Sequence, residues 1–271
     1  MNLKELAGET AAIYTQNPNI DAVLLAGSVA RGWDDDFSDI ELHIFWSVPP
    51  SDEERKAPIH QLKGELLSYY PYEDEEWSES YRIEPGINLE ISNFLTTTID
   101  KVVRSVVEDF NIDYDYQCIV SSIVDGEVLY GHAIIDEFKK KSSNYPNELA
   151  YQMVQTHLDL GNRWKNRYAL LYRKDWLMLY DVINQVQKNL FGVLFGLNHL
   201  YVQHPSFKWM NALVQKMNIK PHHFEKRLEV LYQGNPERAL VELETLYQDV
   251  AALAAVQFLK KEDLESRDAL S

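Results

Sequence analysis

The sequence predicts an α/β domain over residues 1–135 followed by an all-α domain over residues 136–271. Up to about residue 130, short apolar runs alternate with helical patterns, as they do in α/β units. Beyond about residue 136 the strand-like runs stop, and helical spacing continues almost without pause over 147–202. The length of 271 residues, with 45% hydrophobic and 25% charged residues, suffices for one large core or two modest ones.

Residues 2–16 read as a helix, closed by the turn Asn17-Pro18-Asn19. Residues 20–26 (IDAVLLA) form a mostly apolar run that meets a glycine, as a buried strand does. Residues 39–46 (DIELHIFW) alternate strictly, with Ile40, Leu42, Ile44 and Trp46 on one face. Ser51 followed by Asp52, Glu53 and Glu54 marks a helix start, a cap with acids near the positive end of the helix dipole. Residues 87–95 (INLEISNFL) alternate again, 97–110 form an amphipathic helix, and 124–130 add an edge strand or hairpin. In the second half an interruption is expected near Arg173-Lys174-Asp175, with shorter helices at 208–217 and 221–232. Asn235-Pro236, a cap followed by proline at the first helical position, starts a final helix to about residue 259. The charged tail beyond it, KKEDLESRDALS, is expected to fray.

The formal net charge is −16, from 26 basic and 42 acidic residues. Proteins that hold a long polyanion present basic surfaces, because phosphate contacts supply most of the non-specific affinity. Nucleic acid is therefore not expected as a partner, and a small or cationic acceptor suits the balance better. An acidic surface also aids solubility, which is a sufficient explanation by itself. The longest apolar stretch, 190–202, is interrupted by Asn198 and His199 and is too short to span a bilayer. Residues 1–6 are polar and offer no apolar secretory segment. The single cysteine, Cys118, leaves no second thiol for an intramolecular disulfide or a cysteine-based zinc site. A cytoplasmic protein without a membrane partner is the expectation, with a homodimer left open.

The chemistry concentrates in LLAGSVARGWDDDFSDIELHIF. A buried strand delivers Gly27-Ser28 to its C-terminal end, where Ser28 to Arg31 open a short helix. Glycine lets backbone approach a ligand closely, and N–H groups at a helix N-terminus with a serine hydroxyl suit a triphosphate. Asp39 and Glu41 lie two apart on the predicted strand, so their side chains leave the same face from Cα atoms roughly 6.5–7 Å apart. Carboxylates converging from that distance can share two divalent cations about 3.5–4 Å apart, the arrangement for in-line phosphoryl chemistry. Magnesium prefers such oxygen ligands together with substrate phosphates. On a helix the pair would diverge by about 200°. Glu90 lies on the polar face of INLEISNFL with Asn88 and Ser92. A lone glutamate buried among isoleucines and leucines is costly, and pointing into a metal-containing cleft resolves that cost. There it would act as the general base for an acceptor hydroxyl; the alternative is an edge-strand acid in solvent.

Gly27-Ser28, the spacer 29–38 and Asp39-Ile40-Glu41 together resemble the signature of the DNA-polymerase-β-like nucleotidyltransferase superfamily. GSVARGWDDDFSDIELHIF is most similar to the small antibiotic nucleotidyltransferases, the lincosamide enzymes more than the aminoglycoside enzymes. The resemblance implies a nucleotidyltransferase core with a mixed sheet, followed by a helical C-terminal domain. It implies that Gly27 and Ser28 hold nucleotide phosphates, that Asp39 and Glu41 bind two Mg2+ ions, and that Glu90 is the base. Many relatives carry Asp where this chain has Glu41. The implied reaction is transfer of a nucleoside monophosphate, AMP from ATP, to a hydroxyl of a lincosamide- or aminoglycoside-like acceptor, with release of pyrophosphate. Two other readings fit the same motif. One is a non-catalytic nucleotide-binding or regulatory protein, the other a protein-modifying enzyme of toxin–antitoxin type.

Arg31 either reaches a phosphate or pairs with the aspartates 34–36 on the helix surface. Lys208, in HPSFKW, is the candidate cation from the helical half, against a surface lysine beside a core Trp209. Ser38 reads as a turn residue before the strand. His43 shares the face of Asp39 and Glu41, lining the acceptor side or simply packing. Residues 72–79 (YEDEEWSE) combine five acids with Trp77, as an exposed acidic loop or a cradle for an amine. Trp164, Tyr168, Tyr172, Trp176 and Tyr180 recur every four residues, which predicts mainly a helix-packing stripe with one or two members open to the cleft.

Overall fold

The computed structural model describes residues 2–268, with side chains to residue 258, so Met1 and the end of the expected fraying tail, 269–271, lie outside the described residues. The chain divides into two compact units, Met1–Asn144 and Tyr145–Ser271.

The first unit is built on a mixed six-stranded sheet. It opens with α1 (Leu3–Tyr14), capped by the Asn2 side chain, which accepts the Lys4 N–H. Then come β1 (Ile20–Leu25), α2 (Gly27–Arg31), β2 (Ile40–Trp46) and α3 (Asp52–Gln61). A full capping box, Ser51 with Glu54, starts α3. The hairpin β3 (Glu65–Tyr69) and β4 (Trp77–Ile83) leads into β5 (Ile87–Leu95). Next follow α4 (Thr96–Val107), α5 (Tyr114–Asp125), the edge strand β6 (Glu127–Tyr130) and α6 (His132–Ser142). The strand order is β3-β4-β5-β2-β1-β6. β2 and β5 pair in parallel, and every other neighbouring pair is antiparallel.

Alternation splits the sheet into two faces. Ile40, Leu42, Ile44 and Trp46 of β2 join Leu89 and Ile91 of β5, Val23 and Leu25 of β1, and Tyr81 and Ile83 of β4 in one buried cluster. Ala7, Ala11 and Tyr14 of α1 and Ile59 of α3 belong to the same cluster. The parallel register sets Ile40 opposite Leu89, Glu41 opposite Glu90, Leu42 opposite Ile91 and His43 opposite Ser92. The polar members of both strands therefore share the other face.

Sequence periodicity anticipates α1, β1, β2, α3, β5 and α4, and it misses β3, β4, α5 and α6. The supposed loop 72–79 is corrected, because residues 77–79 belong to β4 and Glu79 is buried. Its carboxylate accepts from Arg55 Nε at 2.9 Å and Nη2 at 2.5 Å, and from Asn93 Nδ2 at 2.8 Å. Asn93 Oδ1 in turn accepts the Trp46 indole N–H. An acid on the apolar face breaks the alternation that would have revealed the strand, and its distant partners Arg55 and Asn93 make the burial tolerable.

The second unit is helical: α7 (Asn147–Leu158), α8 (Gly161–Lys165), α9 (Arg167–Arg173), α10 (Trp176–Asn198), α11 (Met210–Lys216), α12 (Phe224–Gln233) and α13 (Pro236–Asp268). Lys174, in the left-handed conformation, makes the expected interruption. Asn235 accepts the Arg238 N–H, as its cap role requires, and α13 runs past residue 259. Leu190, Phe191, Leu194 and Phe195 of α10 are buried, and Phe207 stacks on Phe191 with ring centroids 4.9 Å apart. The aromatic packing stripe is corrected too. It is divided among α8, α9 and α10, with Tyr168, Tyr172 and Trp176 49%, 88% and 43% exposed. Among the described residues, no helix is long and apolar enough to cross a membrane.

Candidate active site

The end of β1 makes a sharp turn against β2. The Ala26 N–H donates to the Glu41 carbonyl at 2.9 Å, and the next residue, Gly27, has φ +65°. A Cβ built on Gly27 would overlap the Glu41 carboxyl group. Glycine is needed here twice over, for the backbone angle and for the room that Glu41 occupies. Ala26 caps α2 in an extended conformation, so the helix begins at Gly27. The first N–H groups of a helix lack intrahelical acceptors. Ser28 is buried, and its hydroxyl donates to Ser38 Oγ at 3.3 Å.

Ser38 closes the turn that precedes β2. Its Oγ accepts the Asp35 N–H at 2.9 Å and donates to Asp35 Oδ1 at 3.2 Å, while Asp35 Oδ1 also accepts the Phe37 N–H at 3.0 Å. Asp39 follows immediately and stands just before β2 rather than on it. Asp39, Glu41 and Glu90 nevertheless converge, each offering a carboxylate oxygen within 4.8 Å of the others. Asp39 and Glu41 are half-buried and Glu90 is exposed. Three anionic oxygens so close repel one another, and a hard divalent cation accepts such a donor set. The residues fit magnesium on donor chemistry and on the space that Gly27 leaves for Glu41.

Farther along the same face, His43 stands opposite Ser92 and edge-on to Phe94. Its Nδ1 is buried and has no hydrogen-bond partner among the described residues. Burial first, and the nearby Arg31 charge second, lower its pKa to about 4, so the ring is neutral at pH 7. Glu76, from the β3–β4 turn, interacts with the Ser92 side chain. Burial first, then Asp74 and Glu79, raise its pKa to about 7.

Arg31 ends α2 with its side chain 8% exposed, and its Nε donates to Asp125 Oδ2 at 3.1 Å. Asp125 closes α5, so the partner comes from a helix that periodicity missed, not from the aspartates 34–36. Lys208 is an exposed residue of the second unit, in the segment between α10 and α11. A separate cavity of about 390 Å³ is lined by Tyr14, Asn17, Asn19, Trp46, Glu54 and Pro58 among others. It adjoins the opposite end of β1 and β2. Both Glu54 oxygens are already engaged by Ser51, Asn17 and Asn19, so its acid is structural.

Residues 113–210 match the model of a domain of unknown function, DUF4037, a span that begins at the α5 cap and contains Lys208 but none of the three converging acids. No curated protein matches the chain. Among solved structures, the chain is similar to an aminoglycoside 6-adenyltransferase from Bacillus subtilis, at 11% identity and a TM-score of 0.36, over 93% of this chain and 91% of that one.

Proposed function

We propose that the protein is a nucleotidyltransferase that moves a nucleoside monophosphate, AMP from ATP, onto a hydroxyl of a small acceptor. The observation that carries this reading is the convergence of Asp39, Glu41 and Glu90 within 4.8 Å beside a glycine turn shaped around Glu41. Asp39 and Glu41 would hold two Mg2+ ions, and Glu90 would be the base. Magnesium, when bound there, supplies positive charge against the triphosphate and the α-phosphoryl group. Gly27 and Ser28 offer their N–H groups to the phosphates, and Arg31, held by Asp125, adds charge at the other end of α2. Glu90 takes the proton from the acceptor hydroxyl, whose oxygen bonds to the α-phosphorus as the bond to pyrophosphate breaks. Lys208, in the second unit, is left outside this assignment. A lincosamide- or aminoglycoside-like molecule is the acceptor to try first.

Pyrophosphate release with Mg2+, ATP and a panel of such acceptors tests the reading. Release is expected to depend on an acceptor and to fall at least about 100-fold in Asp39→Ala. Equal release from Asp39→Ala and the parent protein would remove the metal mechanism.

A further inference from the structure

Phe37 is 96% exposed. Single hydrophobic residues on a surface are ordinary, but the position and anchoring of this one are not. It stands two residues before Asp39, so its Cα lies at most about 7.6 Å from that of the proposed metal ligand. The turn that carries it is tied down on both sides. Asp35 accepts the Phe37 N–H, Ser38 locks Asp35 through its backbone N–H and carboxylate, and Ser38 Oγ accepts from Ser28 in the phosphate turn. These bonds hold the backbone of the turn, and they fix the point from which the exposed ring projects next to the residues of the proposed site.

In chain order the turn carrying Phe37 is continuous with the phosphate turn and not with the strand of the proposed base. β2 lies between β1 and β5. Glu90, the proposed acceptor base, is on the β5 side, whereas α2 and the turn carrying Phe37 join β1 to β2. The flanking Asp34 and Asp36 are exposed acids, which repel phosphates but tolerate an uncharged ring. A flat, neutral group attached to a triphosphate is a nucleobase, and aromatic side chains stack on bases of any identity.

We propose that Phe37 is the platform on which the base of the bound nucleotide stacks, an inference that rests on the nucleotidyltransferase reading. Phe37 acts on binding and not on the chemical step. Because its contact is with a π face, it secures the nucleoside without selecting among bases.

The test is calorimetric titration of the whole protein with Mg2+ and either ATP or inorganic tripolyphosphate, which has no base. Phe37→Ala is expected to weaken ATP binding at least about fivefold and to leave tripolyphosphate binding unchanged. Phe37→Trp is expected to restore ATP binding, and Phe37→Leu, apolar but without a π face, is expected to restore only part of it. Equal ATP affinity in the parent protein and Phe37→Ala overturns the proposal and leaves the nucleotidyltransferase reading intact. Equal loss of both ligands also overturns it, since the residue would then be supporting the phosphate turn. If the parent protein binds neither ligand, the nucleotidyltransferase reading falls and this proposal falls with it.

Discussion

Glu79 on β4 and Glu90 on β5 belong to neighbouring strands, yet they point to opposite faces of one sheet and keep different company. Glu79 lies under α1 and α3, fully buried, with a guanidinium and an amide on its oxygens. Burial raises its pKa, and Arg55 and Asn93 offset only part of that rise. Glu90 is exposed and is drawn towards two further carboxylates. The first arrangement is closed, with its charge answered inside the fold. The second concentrates negative charge at an accessible place, as a site for a cation does. The difference shows that the number of acids in a region says little about its role. What matters is whether the fold itself supplies the cation.

The sharpest way to break this contrast is to remove Arg55. Arg55→Ala leaves Glu79 buried without its cation and is expected to lower stability by about 3–5 kcal/mol in urea unfolding. Glu90→Gln is expected to stay within about 0.5 kcal/mol of the parent in the same experiment. If the two changes were equally destabilising, Glu90 would be a structural acid and the contrast would be wrong.

Gly27→Ala gives a smaller loss of stability but a larger functional one. A left-handed alanine costs about 1–2 kcal/mol, and its methyl group would displace the Glu41 carboxyl. Transfer is expected to fall about 100-fold, because displacements of about 1 Å at a reacting centre have effects of that size. Urea unfolding measures the first effect and pyrophosphate release the second. Full activity in Gly27→Ala would show that the position of Glu41 is unimportant.

The smallest effect belongs to Glu76, at the margin of the open face. Its pKa is about 7 in the folded chain against an ordinary value of 4.5, so between these values the folded state holds a proton that the unfolded state has released. Stability therefore falls as pH rises through that window. Glu76→Gln removes this slope. The variant and the parent should have equal melting temperatures below about pH 4.5, and the variant should be the more stable above pH 7. His43, lowered to about 4 from 6.5, contributes the opposite slope between those values and is common to both proteins. Parallel pH profiles for the two proteins would show that burial and the acids beside it do not raise the Glu76 pKa.

The legible parts of the fold were those whose signals are local. β2 and β5 declare themselves by alternation, α3 by its capping box, and α13 by Asn235-Pro236. The same parity indicated that Glu41 and Glu90 leave polar faces. It did not indicate that β2 and β5 pair in parallel with Glu41 opposite Glu90, which depends on the whole sheet. Residues 72–79 mislead because Glu79 is reconciled with burial by Arg55 and Asn93, 24 and 14 residues away. Arg31 was ambiguous for the same reason, its partner lying 94 residues along the chain. The aromatic run misled in another way. Spacing of four reads as one stripe only on a continuous helix, and Asn166 and Lys174 divide that segment into three.

The pairing of β2 with β5 has one more consequence. On β2 the even-numbered residues are buried and Glu41 is odd, and on β5 Leu89 and Ile91 are buried and Glu90 is even, so core residues and acids alternate along the same two strands. A slip of a single residue between these strands would turn Glu90 towards α1 and expose Leu89 and Ile91. The chain therefore cannot tolerate a one-residue insertion or deletion within β5, whereas the connections outside the strands can vary in length. The apolar core acts as the ruler that keeps the acids aligned.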